Sequence, residues 1–111
     1  MNTRSRKNKG KNLQNKIRDI LIDEFGLTEE DVKSTTMGES GVDVQLSKEA
    51  KKVFPFSIEC KNQEKLNVWS SMNQAESNKG DLMPLLVFKR NRTKTYCMLE
   101  FEDLIKIMKN I

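Results

Sequence analysis

Histidine is absent from this chain of 111 residues. That excludes His-dependent nucleophilic triads, zinc sites built on imidazole, and nucleases whose metal is held by histidine. A hydrolase that works through carboxylates survives the exclusion. Cysteine is nearly absent too: Cys60 and Cys97 stand apart, without paired spacing, so neither a disulfide framework nor a four-cysteine zinc site is supported. Both are expected as buried strand residues in a reducing compartment. No apolar run approaches the roughly 20 residues needed to cross a bilayer, and the basic amino terminus lacks the apolar segment of a secretion signal. A soluble, cytoplasmic protein without a membrane partner is expected. Internal repeats are missing as well.

Charge is abundant. Twenty Lys and Arg against 16 Asp and Glu give a formal net charge of +4, which favours a polyanionic partner. The distribution says more than the total. Arg4, Arg6, Lys7, Lys9 and Lys11 fall within residues 1–12, a stretch without an acid, and Lys89, Arg90, Arg92 and Lys94 follow an apolar run. Both clusters are candidate phosphate contacts on DNA. The first reads as a basic, flexible arm over residues 1–12, followed by a single domain over 13–111. Such a domain can bury one core but has no room for a separate recognition module, so elaborate target choice calls for a second copy of the chain.

Periodicity orders the elements. Leu13, Ile17, Ile20, Leu21 and Phe25 recur at helical spacing and Gly26 supplies a stop, predicting a helix over 13–25. Thr28 followed by Glu29, Glu30 and Asp31 suits a short turn of helix whose acids are only surface charges. Residues 37–46 read as a glycine-flanked strand, with a third meander strand near 34–37. Residues 47–54 form a lysine-rich connector, either a helical turn or a broad hairpin loop. Phe54-Pro55 forces extended backbone into the strand around Glu59. A helix over 66–78 carries the apolar stripe Val68, Trp69, Met72 and Ala75, which assigns Trp69 to the core, and an uncharged polar face of Asn67, Ser71, Gln74 and Asn78. Two strands, 84–88 and 95–99, flank the second basic cluster, and a helix closes the chain over 101–111. The order implies an α/β sandwich, a mixed central sheet of four to five strands with helices on both faces.

The densest chemistry lies in Ser57-Ile58-Glu59-Cys60-Lys61. With a strand's two-residue period, Glu59 and Lys61 share one face while Phe56, Ile58 and Cys60 take the other. Asp43 sits in a second alternating run, Val42-Asp43-Val44-Gln45-Leu46, and a neighbouring strand brings its carboxylate toward Glu59. Two carboxylates and an ammonium on a half-buried face are costly unless they serve a function.

The sequence Gly10-Lys11 opening a helix, Gly41-Val42-Asp43-Val44, Ile58-Glu59-Cys60-Lys61 and a later helix with Gln74-Ala75 resembles the PD-(D/E)XK nuclease superfamily. The order is similar to that of Holliday-junction resolvases and small phage endonucleases, and the resemblance spans most of the chain. It implies a restriction-endonuclease-like fold and a Mg²⁺-dependent DNA endonuclease, with Mn²⁺ as a substitute, acting on branched DNA as a homodimer. A phage-encoded protein of this kind would work in the bacterial cytoplasm.

By the same resemblance, Asp43, Glu59 and the Cys60 main-chain carbonyl hold the metal. Lys61 orients or deprotonates the attacking water, or neutralises developing charge, and Gln74 helps to organise the site. One departure stands out: such resolvases carry a glutamate in the first helix where this chain has Gln14. Glu39 is a further candidate ligand, and a catalytically silent DNA-binding protein of the same fold is the alternative reading.

Overall fold

The computed structural model describes residues 3–35 and 41–111, with side chains described from residue 5. In chain order the elements are α1 (Thr3–Phe25), β1 (Val32–Ser34), β2 (Val44–Leu46), α2 (Lys48–Val53), β3 (Phe56–Asn62), α3 (Val68–Ser77), β4 (Met83–Lys89), β5 (Tyr96–Leu99) and α4 (Phe101–Lys109). The strands form one sheet in the order β1-β2-β3-β4-β5. All neighbours are antiparallel except β3 and β4, which α3 joins as a crossover. This is the mixed α/β sandwich expected from the pattern.

The two faces of the sheet have separate cores. Ile58, Cys60, Leu85 and Val87 pack with Val44 and with Leu13 and Leu21 of α1, and Leu99 joins them from β5. On the other face α3 covers β3 and β4, where Leu86 and Ala75 are buried. Because β4 is central and covered on both sides, Leu85, Leu86 and Val87 are all buried, which is why the run lacks alternation.

α1 starts at Thr3 rather than Leu13, so most of the segment expected as a flexible basic arm is helix. Residues 3–12 offer no apolar stripe to start a helix, but adding turns to one already packed at Leu13 and Leu21 costs far less than starting one. Lys11 also ties this part down, donating from Nζ to Ser34 Oγ at 3.2 Å and to the Thr35 carbonyl at 3.1 Å. Gly26 ends the helix at φ +62°.

Thr28–Asp31 closes as a turn in which Asp31 does more than carry surface charge. Its carboxylate accepts from the Thr28 N–H and hydroxyl and from Ser47 Oγ, while Ser47 caps α2 by accepting the Ala50 N–H. These bonds, that from Ser47 foremost, hold the Asp31 carboxyl below its ordinary range. The connector at 47–54 is thus a capped helix.

Two side chains depart from the expected core. Trp69 is 80 % exposed, and Ser71 takes the buried place, its hydroxyl bonded to the Asn67 carbonyl at 2.8 Å. The sheet-facing line of α3 runs through Ser71, Met72 and Ala75, and so lies to one side of the apolar stripe that includes Trp69. Cys97 is exposed because β5 is an edge strand.

Candidate active site

Asp43 ends the loop that leads into β2, and two contacts fix its backbone to β3 and to Thr35, the residue that follows β1. Its N–H donates to the Ile58 carbonyl at 3.1 Å, and its own carbonyl accepts the Thr35 N–H at 2.9 Å. Buried Thr35 also donates its hydroxyl to the Val42 carbonyl at 2.6 Å. With the main chain so held, Asp43 Oδ2 accepts the Cys60 N–H at 2.7 Å. Val44 pairs with Ile58 in the core beneath α1, so alternation turns the next residues, Asp43 and Glu59, to the α3 face.

Glu59 is buried, and its Oε2 has no hydrogen-bond partner. Its Oε1 lies 3.8 Å from Lys61 Nζ, two residues along the same face. Burial, followed by the neighbouring Asp43 charge, pushes the Glu59 carboxyl up to about 7, against the pull of Lys61. Burial raises Asp43 as well, opposed by the Cys60 N–H and by Lys61. The Cys60 thiol is driven upward by burial and by both carboxylates, so it remains a neutral, inert wall of the core.

Asn78, at the C-terminal end of α3, closes the far side. Its Nδ2 donates to the Gly41 carbonyl at 3.3 Å, its carbonyl accepts from Ser57 Oγ at 3.3 Å, and its amide lies near enough to Glu59 to favour the charged carboxylate slightly. The sequence placed Asn78 on the polar face of its helix without linking it to Glu59. A polar residue at a helix stop was the available signal, and only the packing of α3 on β3 joins it to the site.

Gln74 is exposed on α3, and its main-chain carbonyl accepts the Asn78 N–H. Among the described residues no hydrogen bond joins its side chain to Asp43, Glu59 or Lys61. Gln14 is buried in α1 and its Oε1 accepts from Ser34 Oγ at 2.9 Å. Glu39 and the Arg4 side chain lie outside the described residues. Arg6, Lys7, Arg90, Arg92 and Lys94 are exposed or partly so, as are Lys9 and Lys89, and Lys11 is engaged at β1.

A divalent cation suits this arrangement. Two adjoining carboxylates in a low-dielectric setting repel each other, and the orphaned Glu59 Oε2 lacks any other stabilising partner. Hard oxygen donors select Mg²⁺ or Mn²⁺ over softer metals. Among the described residues no cluster of three acidic or cysteine side chains occurs, so water and main-chain oxygen would have to complete the shell.

A sequence profile of the family described as "Phage putative PDDEXK endonuclease" matches residues 5–111. No curated protein and no solved structure matches the chain. Among the described residues no helix is long and apolar enough to cross a membrane.

Proposed function

Since this chain belongs to the family described as "Phage putative PDDEXK endonuclease", we propose that it hydrolyses DNA phosphodiester bonds with a divalent cation, Mg²⁺ or Mn²⁺, held by Asp43 and Glu59. The observation that carries the reading is the adjoining carboxylates of half-buried Asp43 and buried Glu59, the latter with its Oε2 unpartnered, next to Lys61. When bound, the cation would activate water and offset negative charge on the reacting phosphate. The protein's own groups do the rest. The Cys60 N–H orients Asp43, and the Cys60 carbonyl is the candidate main-chain ligand. Asn78 lies beside Glu59 and favours its charged form, and Lys61 Nζ offers a hydrogen-bond donor and positive charge for the attacking water or the phosphate oxygens. The basic β4–β5 turn and the exposed cations of α1 would hold the DNA backbone.

The expected substrate is branched DNA cut by a homodimer, with α4 as the dimer interface. Phe101, Leu104, Ile105 and Met108 are 71, 38, 42 and 58 % exposed and share one stripe of the helix, while Asp103 is buried on the opposite side. Together with Ile111, at 92 %, they offer about 600 Å² of apolar surface, taking roughly 200 Å² for a fully exposed large side chain. A standard interface uses ~800 Å² from each partner. Charge selects the orientation: Glu100 and Glu102 lie at one end of α4, Lys106 and Lys109 at the other. Two copies packed antiparallel about a two-fold axis set acids against lysines, as an isologous interface requires.

Incubation of a labelled four-way junction and its linear duplex arms with Mg²⁺, with EDTA and with Glu59→Ala tests the reading. Paired Mg²⁺-dependent cuts in the junction are expected, absent with EDTA and with the variant. The neutral Gln14 in α1 favours a second reading, a DNA-binding protein without catalysis. Salt-sensitive binding with no cut under either metal would establish that instead.

A further inference from the structure

The α3 face of the sheet carries more than the carboxylate pair. Register aligns Lys61 with Phe88 and Phe88 with Tyr96, so these three side chains form one row across β3, β4 and β5. At the end of the row lies a groove of about 650 Å³, walled by Phe88 and Tyr96 and rimmed by Lys89, Arg90, Arg92 and Lys94. The two rings meet at 6.4 Å, and Tyr96 remains 55 % exposed. One carboxylate, Glu64, lines the groove against those four cations.

An aromatic wall inside a cationic rim is the arrangement that receives a nucleobase and its phosphates, since stacking tolerates any base and the cations track the backbone. The rim also shows backbone strain. Arg92, at φ +64°, is the only non-glycine with positive φ among the described residues, and Thr93 Oγ1 holds that turn through the Arg90 N–H. Glycine or asparagine would fit the conformation more easily, yet a long cation occupies it.

We propose that this groove is a subsite for one unpaired nucleotide adjoining the scissile phosphate, its base stacked on Tyr96 and its phosphates met by the β4–β5 turn. The proposal rests on the nuclease reading of Asp43, Glu59 and Lys61 and narrows its substrate. Strands ~4.8 Å apart set Tyr96 about 10 Å from Lys61. Both faces of a base inside a duplex are covered by its stacked neighbours, so a base that lies on the Tyr96 ring has left its stack. Flaps, frayed branch points and single-stranded tails present such a nucleotide, whereas an intact duplex does so only after unpairing.

The test uses full-length protein in EDTA and a forked DNA whose single-stranded tail carries 2-aminopurine at successive positions. Wild type and Tyr96→Phe are expected to quench the probe at one position near the fork. Tyr96→Ala should lose the quench and bind the fork roughly ten-fold more weakly, with duplex affinity unchanged. Arg92→Gly should fold at least as stably as wild type, bind more weakly and show a shallower salt dependence.

Tyr96→Ala that binds and quenches like wild type would overturn the subsite, as would a probe that never responds. Cleavage mapping with Mg²⁺ separates the two readings. Quenching without any cut supports the subsite and removes the nuclease reading, whereas cutting without quenching does the reverse. A cut far from the quenched position overturns the proposed adjacency.

Discussion

Asp43 Oδ2 accepts the main-chain N–H of Cys60 at 2.7 Å, so one carboxylate of the pair is aimed by the strand that carries the other. Carboxylate spacing is thereby tied to the β2–β3 pairing rather than to side-chain freedom. Removing Asp43 removes both a charge and the acceptor for a buried N–H.

Asp43→Asn and Asp43→Ala should therefore separate chemistry from folding. Both should lose cleavage, because neither supplies an anionic ligand. The amide oxygen of the Asn variant can still accept the Cys60 N–H, so chemical denaturation should find the Ala variant less stable than the Asn variant by about 1 kcal/mol. Equal stabilities would remove the Cys60 bond from the account.

The Glu59 carboxyl gives a pH signature. Its folded value, about 7, lies above the ordinary 4.5, so the folded state binds the proton more tightly. The stability this group contributes is fully present below pH 4.5 and is lost as pH rises through 7. Melting of metal-free protein should show a Tm that falls between about pH 5 and 8, by a free energy on the order of 1–3 kcal/mol. Glu59→Gln should flatten that fall while abolishing cleavage, and Mg²⁺ should raise the wild-type Tm at about pH 8. A Tm that climbs over this range in wild type would contradict the buried carboxylate.

Lys61 opposes the upward shift of both carboxylates. Lys61→Ala should cut single-turnover cleavage by about 10²-fold or more and move the pH midpoint of the stability loss upward. A variant with unchanged cleavage would remove Lys61 from the chemistry, and an unmoved midpoint would remove its electrostatic coupling to Glu59.

For the dimer, Leu104→Lys and Met108→Lys alter only exposed positions on α4 and should leave the fold intact. Sedimentation should show wild-type dimers converting to monomers, and paired junction cuts should become independent single nicks. Wild type sedimenting as a monomer at micromolar concentration would rule out the α4 interface.

Much of this protein is legible in its residues because the signals are local. The Glu59–Lys61 alternation, the Pro55 strand entry, the buried run of β4 and the Gly26 stop each depend on neighbours in sequence. Consequently the order of the main helices and strands and the shared face of Glu59 and Lys61 follow from spacing, whereas spacing leaves 47–54 open between helix and loop and extends over 37–46 a strand that, among the described residues, covers only Val44–Leu46. Other features were set by packing between distant segments. The basic amino-terminal segment is helical from Thr3 because α1 is already anchored at Leu13, Leu21 and Lys11. Trp69 faces solvent because α3 rotates Ser71 and Ala75 onto the sheet. Asn78 meets Glu59, and Tyr96 joins the row of Lys61, only once α3 and β5 are in place. Side-chain period fixes which residues share a face of one strand, but sheet register and helix rotation are settled by burial summed over the whole core, which no single segment of sequence encodes.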